Sequence, residues 1–180
     1  MKSFEIFSGA GGLAKGLEMA GFEHTSLVEI NKDACRSLRH NFDPSKVYEG
    51  DIAAYDLTTL PQVALVAGGP PCQPFSLGGK HKAHQDDRDM FPHAVRCIER
   101  LTPKAFLFEN VKGLLRLSFS EYFEYIVLRL TYPQESIRPA EDWGKHLERL
   151  KKLTPATYNG VWYRVQYKLL NAADYGVPQK

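Results

Sequence analysis

One cysteine in this sequence stands where a nucleophile could work. The run Gly68-Gly69-Pro70-Pro71-Cys72-Gln73-Pro74-Phe75-Ser76 follows the apolar stretch Val63-Ala64-Leu65-Val66-Ala67. That stretch predicts a strand buried on both faces, and the prolines stiffen the turn that leaves it. A thiol on a rigid polar loop is badly placed to be a small core hydrophobe. A nearby helix N-terminus or base would raise its thiolate fraction, and the thiolate is the reactive form. The other two cysteines, Cys35 and Cys97, fall on predicted helices and read as inert core residues. A second group is Glu109-Asn110-Val111, which ends the apolar segment Ala105-Phe106-Leu107-Phe108, predicted to be another buried strand. A carboxylic acid beside an apolar strand end can have a raised pKa and act as a proton donor. A structural carboxylate is the plainer alternative.

A third constellation points to a nucleoside. Phe7-Ser8-Gly9-Ala10-Gly11-Gly12 follows the first predicted strand and opens the first helix. Glycines there let the backbone turn tightly and approach a ligand, and the helix start offers free N–H groups. Such a turn suits a pyrophosphate or the carboxylate of a methionine moiety, and alone it is a weak signal. Glu29 ends the second predicted strand about 20 residues further on, where an acid holds ribose hydroxyls in doubly wound nucleotide-binding folds. Asp51 is placed at the end of the third, where a carboxylate could accept from an adenine amino group. Each acid alone is more often a solvated strand end. Three such features at consecutive strand ends point to an adenosine-containing ligand. Leu13-Ala14 occupies the place of the last glycine of the dinucleotide fingerprint, which counts against a nicotinamide cofactor.

The elements that must position these residues alternate short apolar strands with amphipathic helices. Strands are predicted at Lys2 to Phe7, Thr25 to Glu29, near Val47, at Val63 to Ala67 and at Ala105 to Phe108. Leu13, Leu17 and Ala20 mark one helix, closed by Gly21. Asn31 caps a second carrying Ala34, Leu38 and Phe42, and Phe91, Val95, Ile98 and Leu101 mark a third. This rhythm predicts an α/β fold, a doubly wound, mostly parallel sheet with helices on both faces. From about 114 to 158 the chain is richer in charge. Helices are expected there at Phe119 to Leu130 and Glu141 to Leu153, as an insertion or peripheral layer. Val161 to Leu169 alternates like a strand, and Asn171 to Lys180 reads as a loop.

The 180 residues suffice for one domain with a real core, and 43% hydrophobic with 24% charged residues is ordinary for a soluble globular protein. No apolar run approaches the roughly 20 residues of a membrane span, and the first residues do not read as a secretory signal. Three cysteines cannot form a complete disulfide framework, and no Cys or His pair has zinc spacing, so a reduced, cytoplasmic setting without metal is expected. A net charge of +2 does not announce nucleic-acid binding by itself.

Taken together, Phe7 to Gly12, Glu29, Asp51, Pro70-Pro71-Cys72 with Gln73 to Ser76, Glu109-Asn110-Val111 and Asp174-Tyr175-Gly176-Val177-Pro178-Gln179 are specific in type and order. Over essentially its whole length the chain resembles the cytosine-5 DNA methyltransferases, and the bacterial restriction-modification members in particular. The resemblance implies the class I, Rossmann-like methyltransferase fold and S-adenosylmethionine as methyl donor, with S-adenosylhomocysteine as product. It implies that Phe7 packs on the adenine and that Ser8, Gly9, Ala10, Gly11 and Gly12 line the methionine and ribose region. Glu29 would bind the ribose hydroxyls, Ile30 would pack on the adenine, and Asp51 with Ile52 would meet its amino edge. Pro70, at the junction of cofactor and base, would help position the cytosine. Cys72 would be the nucleophile, adding to the 6-carbon, with Glu109 engaging the ring nitrogen and amino group. Gln73, Ser76, Lys80, His81, Lys82, Arg88 and Asn110 would lie on the DNA side, against a base flipped from a duplex.

Members of that family continue past this point. The arginines that follow the glutamine motif, the target-recognition region and the closing C-terminal helix have no counterpart here. The fold is therefore expected to be incomplete at its C-terminus, and a separate C-terminal subunit is one expected partner besides double-stranded DNA. Two other readings stand beside this one. A transfer RNA cytosine methyltransferase shares these motifs, though it usually carries Cys-Phe-Thr where this chain has Cys72-Gln73-Pro74. A non-catalytic fragment that binds cofactor or partner would keep the fold without the chemistry.

Overall fold

The computed structural model of the protein describes residues 1–71 and 90–178. Five strands form one sheet: β1 (Lys2–Ile6), β2 (Glu23–Glu29), β3 (Val47–Glu49), β4 (Leu65–Gly68) and β5 (Ala105–Phe108). Their order is β3-β2-β1-β4-β5, and every pair is parallel. The chain winds outward from β1 to β3, then returns to the other side of β1 for β4 and β5. The loops leaving β1 and β4 therefore diverge, and this reversal opens a crevice at the carboxyl edge.

The helices follow from sequence spacing. In α1 (Gly12–Met19), Ala14 and Leu17 are buried on one side. In α2 (Lys32–Asn41), the Asn31 side chain accepts from the Asp33 and Ala34 amides, satisfying donors that a helix start leaves open. In α3 (Phe91–Leu101), Phe91, Ala94, Val95, Cys97 and Ile98 form the buried stripe, and Thr102 leaves the helix with φ 39° ahead of Pro103. Helices α4 (Ser120–Thr131) and α5 (Trp143–Leu150) are the last two among the described residues.

Alternation in β1 sorts these helices onto two faces. Phe4 and Ile6 share one large cluster with Val28, Val66, α3, α4 and α5, including Tyr125, Ile126, Leu147 and Leu150. The opposite face carries α1 and α2 in two smaller clusters, Ala14-Leu27-Leu38 and Leu17-Leu65-Ala67. One position ties the halves of the sheet together. A Cβ at Gly68 would lie 2.0 Å from the Ile6 carbonyl oxygen, so only glycine lets β4 end this close to β1.

Four expectations are corrected. β5 is not buried on both faces: Ala105 is exposed and Leu107 is 47% exposed, while Phe106 packs on the core through Tyr163. A uniform apolar run cannot reveal that one face stays uncovered. Residues 161–169 form no strand. Tyr163 and Val165 pack on the core and the Tyr163 amide donates to Thr131, but the segment joins no ladder. The alternation there reflects one-sided packing. β3 stops at Glu49, two residues short of Asp51. The helix expected from Glu141 to Leu153 runs only from Trp143 to Leu150, because Asp142 caps it while Glu141 turns to Arg149. Cys35 and Cys97 are buried on helices as expected, and burial pushes the Cys97 thiol up to about 12.

Candidate active site

The carboxyl edge is tied together strand by strand through backbone groups. Phe7 turns the chain out of β1 with φ 53°, and Gly9 and Gly11 continue the turn at φ 53° and 94°. A Cβ at Gly11 would strike the Phe42 ring at 2.6 Å, so the turn lies against α2. The Ser8 amide donates to Val28 O at 3.1 Å, and the Gly9 amide donates to Glu29 Oε2 at 2.8 Å. The other oxygen of Glu29 accepts from the Ile30 and Asn31 amides, at 2.9 and 2.8 Å. Glu29 thus fixes the Gly-rich turn relative to the tip of β2 and keeps lone pairs for further donors. Ile30 beside it is 66% exposed, an apolar platform at the mouth of the crevice. Phe7 is half-buried against the main core.

On the far side, the Gly50 amide donates to Glu29 O at 2.9 Å, which hangs the exit of β3 on the tip of β2. Asp51 caps the one-turn helix Ile52–Ala54 by accepting from the Ala53 amide at 2.8 Å. Asp51 is exposed and Ile52 is buried. The turn, Glu29, Ile30 and Asp51 therefore line neighbouring strand ends.

The β4 and β5 exits meet on the other flank. The Glu109 amide donates to Gly68 O at 3.0 Å, and Asn110 Nδ2 donates to Pro70 O at 2.8 Å. Asn110 Oδ1 accepts from the Val111 amide, which sets the amide orientation. A Cβ at Gly69 would sit 3.5 Å from Glu109 Oε2 and 3.9 Å from Phe7 O. The Glu109 carboxylate, the β4 exit and the β1 exit are therefore neighbours. Pro70 is buried and Pro71 exposed. Cys72, Gln73, Ser76, Lys80, His81, Lys82 and Arg88 lie outside the described residues, so the geometry places Pro71, from which Cys72 follows directly in sequence. Among the described residues no group of His, Cys, Asp and Glu could hold a metal ion.

Two polar residues of this region were not singled out from the sequence. Glu5, in the middle of β1, is fully buried, and neither carboxyl oxygen meets a partner at hydrogen-bond geometry. Burial pushes it up to about 7, against the weaker pull of the Ala14 amide and the Ser8 hydroxyl. Arg96, on α3, donates through Nη1 to Ala53 O at 3.0 Å and through Nη2 to Ile52 O. An acid between Phe4 and Ile6, and a cation between Val95 and Cys97, were the available signals.

The model of the C-5 cytosine-specific DNA methylase family matches residues 1–132. The chain is 41% identical to the type II methyltransferase M.NgoMIV of Neisseria gonorrhoeae over 177 residues, covering 98% of this chain and 48% of that protein. It is 35% identical over 178 residues to the type II methyltransferase M.NaeI of Lentzea aerocolonigenes, covering 97% of this chain and 36% of the relative. The chain thus spans about half the length of the first relative and less of the second. Among solved structures, a prophage-encoded Escherichia coli protein assigned as a DNA modification methyltransferase superposes with a TM-score of 0.55. Its identity is 30%, with 67% of this chain and 34% of the other covered.

Proposed function

The chain belongs to the C-5 cytosine-specific DNA methylase family, and from that premise we propose that it is the catalytic and cofactor-binding part of an enzyme that methylates the 5-carbon of cytosine in DNA. The observation that carries this reading is the meeting of three strand exits. Glu109 stands against Gly69, beside the exit of β1, two residues ahead of Pro71 and the cysteine that follows it.

The β1–β3 edge fits S-adenosylmethionine. The Gly-rich turn faces the crevice with its backbone, Glu29 can accept from ribose hydroxyls while holding the Gly9 amide, and Ile30 offers an apolar surface to the adenine. Asp51, whose carboxylate accepts from the Ala53 amide, would accept from the adenine amino group. When bound, this cofactor supplies an electrophilic methyl group for the activated carbon.

The chain's own residues would do the rest. The Cys72 thiolate attacks the 6-carbon of a flipped cytosine, because the 5-carbon alone is a poor nucleophile and the adduct is enamine-like. Glu109 holds or donates a proton at the ring nitrogen, which stabilises that adduct. Asn110 holds the Pro70 carbonyl, two residues ahead of the cysteine in sequence. After methylation, loss of the proton from the 5-carbon expels the thiolate. The remaining DNA-side residues, Gln73, Ser76, Lys80, Lys82 and Arg88, are proposed to contact the substrate near the flipped base.

The similarity to type II methyltransferases supports a role in a bacterial restriction-modification system, and among the described residues no helix is long and apolar enough to cross a membrane. A cytoplasmic setting is part of the proposal. So is the source of sequence recognition: polypeptide beyond these 180 residues, in the same chain or as a separate C-terminal subunit.

The test is methyl transfer by the complete protein to duplex DNA and to transfer RNA, side by side. Label should appear as 5-methylcytosine in DNA and vanish in Cys72→Ser and Glu109→Gln. Label confined to transfer RNA, or none with folded protein and its full complement, would defeat the reading.

A further inference from the structure

Resting on the reading of Asp51 as the partner of the adenine amino group, we propose that Arg96 is a positioning residue for adenine recognition, acting from α3 through the one-turn helix Ile52–Ala54. That helix is too short to organise itself. Its single turn is closed by Ala54 N to Asp51 O and Tyr55 N to Ile52 O, and its N-terminal end is capped by the Asp51 side chain. Ile52 O already accepts from the Tyr55 amide within the turn, while Ala53 O lies past the last closing bond. Arg96 reaches them from another element: its two terminal nitrogens donate to Ile52 O and Ala53 O, 44 and 43 residues away. A planar guanidinium can hold two adjacent carbonyls at once, a geometry that an ammonium cannot copy.

The arrangement is specific. Arg96 Nε is buried without a hydrogen-bond partner, so among the described residues the guanidinium bonds to this turn through its two terminal nitrogens alone. Ile52 is buried in the main core between the two ends of the device, and Tyr55 closes it by packing on Phe4 and Tyr48. Asp51 itself is exposed and anchored only at one end, by Ala53 N. With the Arg96 clamp gone, Ile52 O keeps only the Tyr55 amide and Ala53 O loses its guanidinium donor, so the peptide that carries Ile52 O and the Ala53 amide, which orients the Asp51 carboxylate, is held less firmly. Arg96 touches no part of the cofactor in this account. Its effect is to keep one acceptor pointing at one edge of a purine.

The consequence is a discrimination, not merely an affinity. Calorimetric titration of the complete protein, with any C-terminal subunit, with S-adenosylhomocysteine and with the analogue in which inosine replaces adenosine reads it directly. The parent should prefer the adenine compound, and Asp51→Ala should abolish the preference. Arg96→Met should weaken binding of the adenine compound about tenfold, the equivalent of one hydrogen bond to a charged group, and should collapse the preference toward that of Asp51→Ala. The double variant should bind no more weakly than Asp51→Ala alone, because both changes act on one contact. Arg96→Lys, which reaches one carbonyl instead of two, should keep part of the preference, and it carries the test if Arg96→Met does not fold. Full adenine preference retained in a folded Arg96 variant, or strictly additive losses in the double variant, would overturn the inference and leave Asp51 its role. A parent chain with no preference between the two compounds would instead remove the reading of Asp51 and this inference with it.

Discussion

The two halves of the sheet are finished to different degrees. On the β3-β2-β1 side, the groups at the carboxyl edge are held by nearby backbone: Glu29 by three amides, Asp51 by one, and the β3 exit by Glu29 O. On the β4-β5 side the ties are few and long-range, Asn110 to Pro70 being the clearest, and apolar side chains remain exposed. Leu107 on β5 and Val111 just beyond it are 47% and 59% exposed, while the exposed Ile30 of the other side, at 66%, stands at the proposed adenine surface. A preorganised acceptor set binds a small ligand without further ordering. An uncovered apolar face is where other polypeptide or a second copy packs. Cofactor binding and turnover should therefore be separable in this chain.

The seam between the halves is the sharpest place to break this picture. Gly68→Ala would force β4 away from Ile6, and a cost of about 3 kcal/mol or more is expected, with both halves failing together in one thermal transition. Loss of cofactor binding with the melting temperature unchanged would mean that the halves are not welded at this point.

Burial also makes two groups titrate in opposite senses. The folded Glu5 carboxyl, pushed up to about 7, keeps a proton that the unfolded chain releases near 4.5. Its contribution to stability is complete below about pH 4.5 and is lost as pH rises through about 7, an amplitude of roughly 3 kcal/mol. His146, between α4 and α5, behaves in the opposite sense. Burial first, then Arg129 and Arg149, push it down to about 4, so its contribution is lost as pH falls from 6.5 through 4. Glu5→Gln should flatten the loss on the alkaline side and leave the acidic loss in place. Denaturant titrations at a series of pH values check this, and an unchanged slope between pH 4.5 and 7 would remove Glu5 as its source.

Glu29 and Glu109 make the comparison residue by residue. Glu29→Ala leaves the Gly9, Ile30 and Asn31 amides without their acceptor and should cost roughly 1–3 kcal/mol, read both in unfolding and in cofactor affinity. Glu109→Gln, at an exposed position, should change stability by no more than about 0.5 kcal/mol yet slow methyl transfer at least about 100-fold. Equal effects of the two on cofactor affinity would erase the division of labour. The smallest effect belongs to the exposed face. Leu107→Ser with Val111→Ser should shift stability by about 0.5 kcal/mol or less while reducing self-association of the isolated chain in sedimentation. Unaltered association would place the sticky surface elsewhere.

How far the sequence carried depends on what each residue's signal was made of. Local patterns were readable. Asn31 announced its cap, Leu13 to Ala20 and Phe91 to Leu101 announced helices, and Glu29 sits at the strand end where its spacing from the glycines placed it. Signals that depend on a neighbour were not. Ala105 to Phe108 reads apolar whether one face is covered or two. Val161 to Leu169 alternates whether or not a strand lies beside it. Asp51 caps a one-turn helix that three residues cannot advertise. Arg96 and Glu5 look like ordinary charges until the fold shows one clamping carbonyls far along the chain and the other buried without a partner.

The most direct test of the chemistry is covalent capture of DNA. The complete protein, with any C-terminal subunit, should form a stable adduct with a duplex whose target base is 5-fluorocytosine, since fluorine cannot leave as a cation after addition and methylation. Peptide mapping should find the DNA on Cys72, and Cys72→Ser should trap none. Equal trapping by Cys72→Ser, or a crosslink mapped to Cys35 or Cys97, would contradict the assignment of the nucleophile.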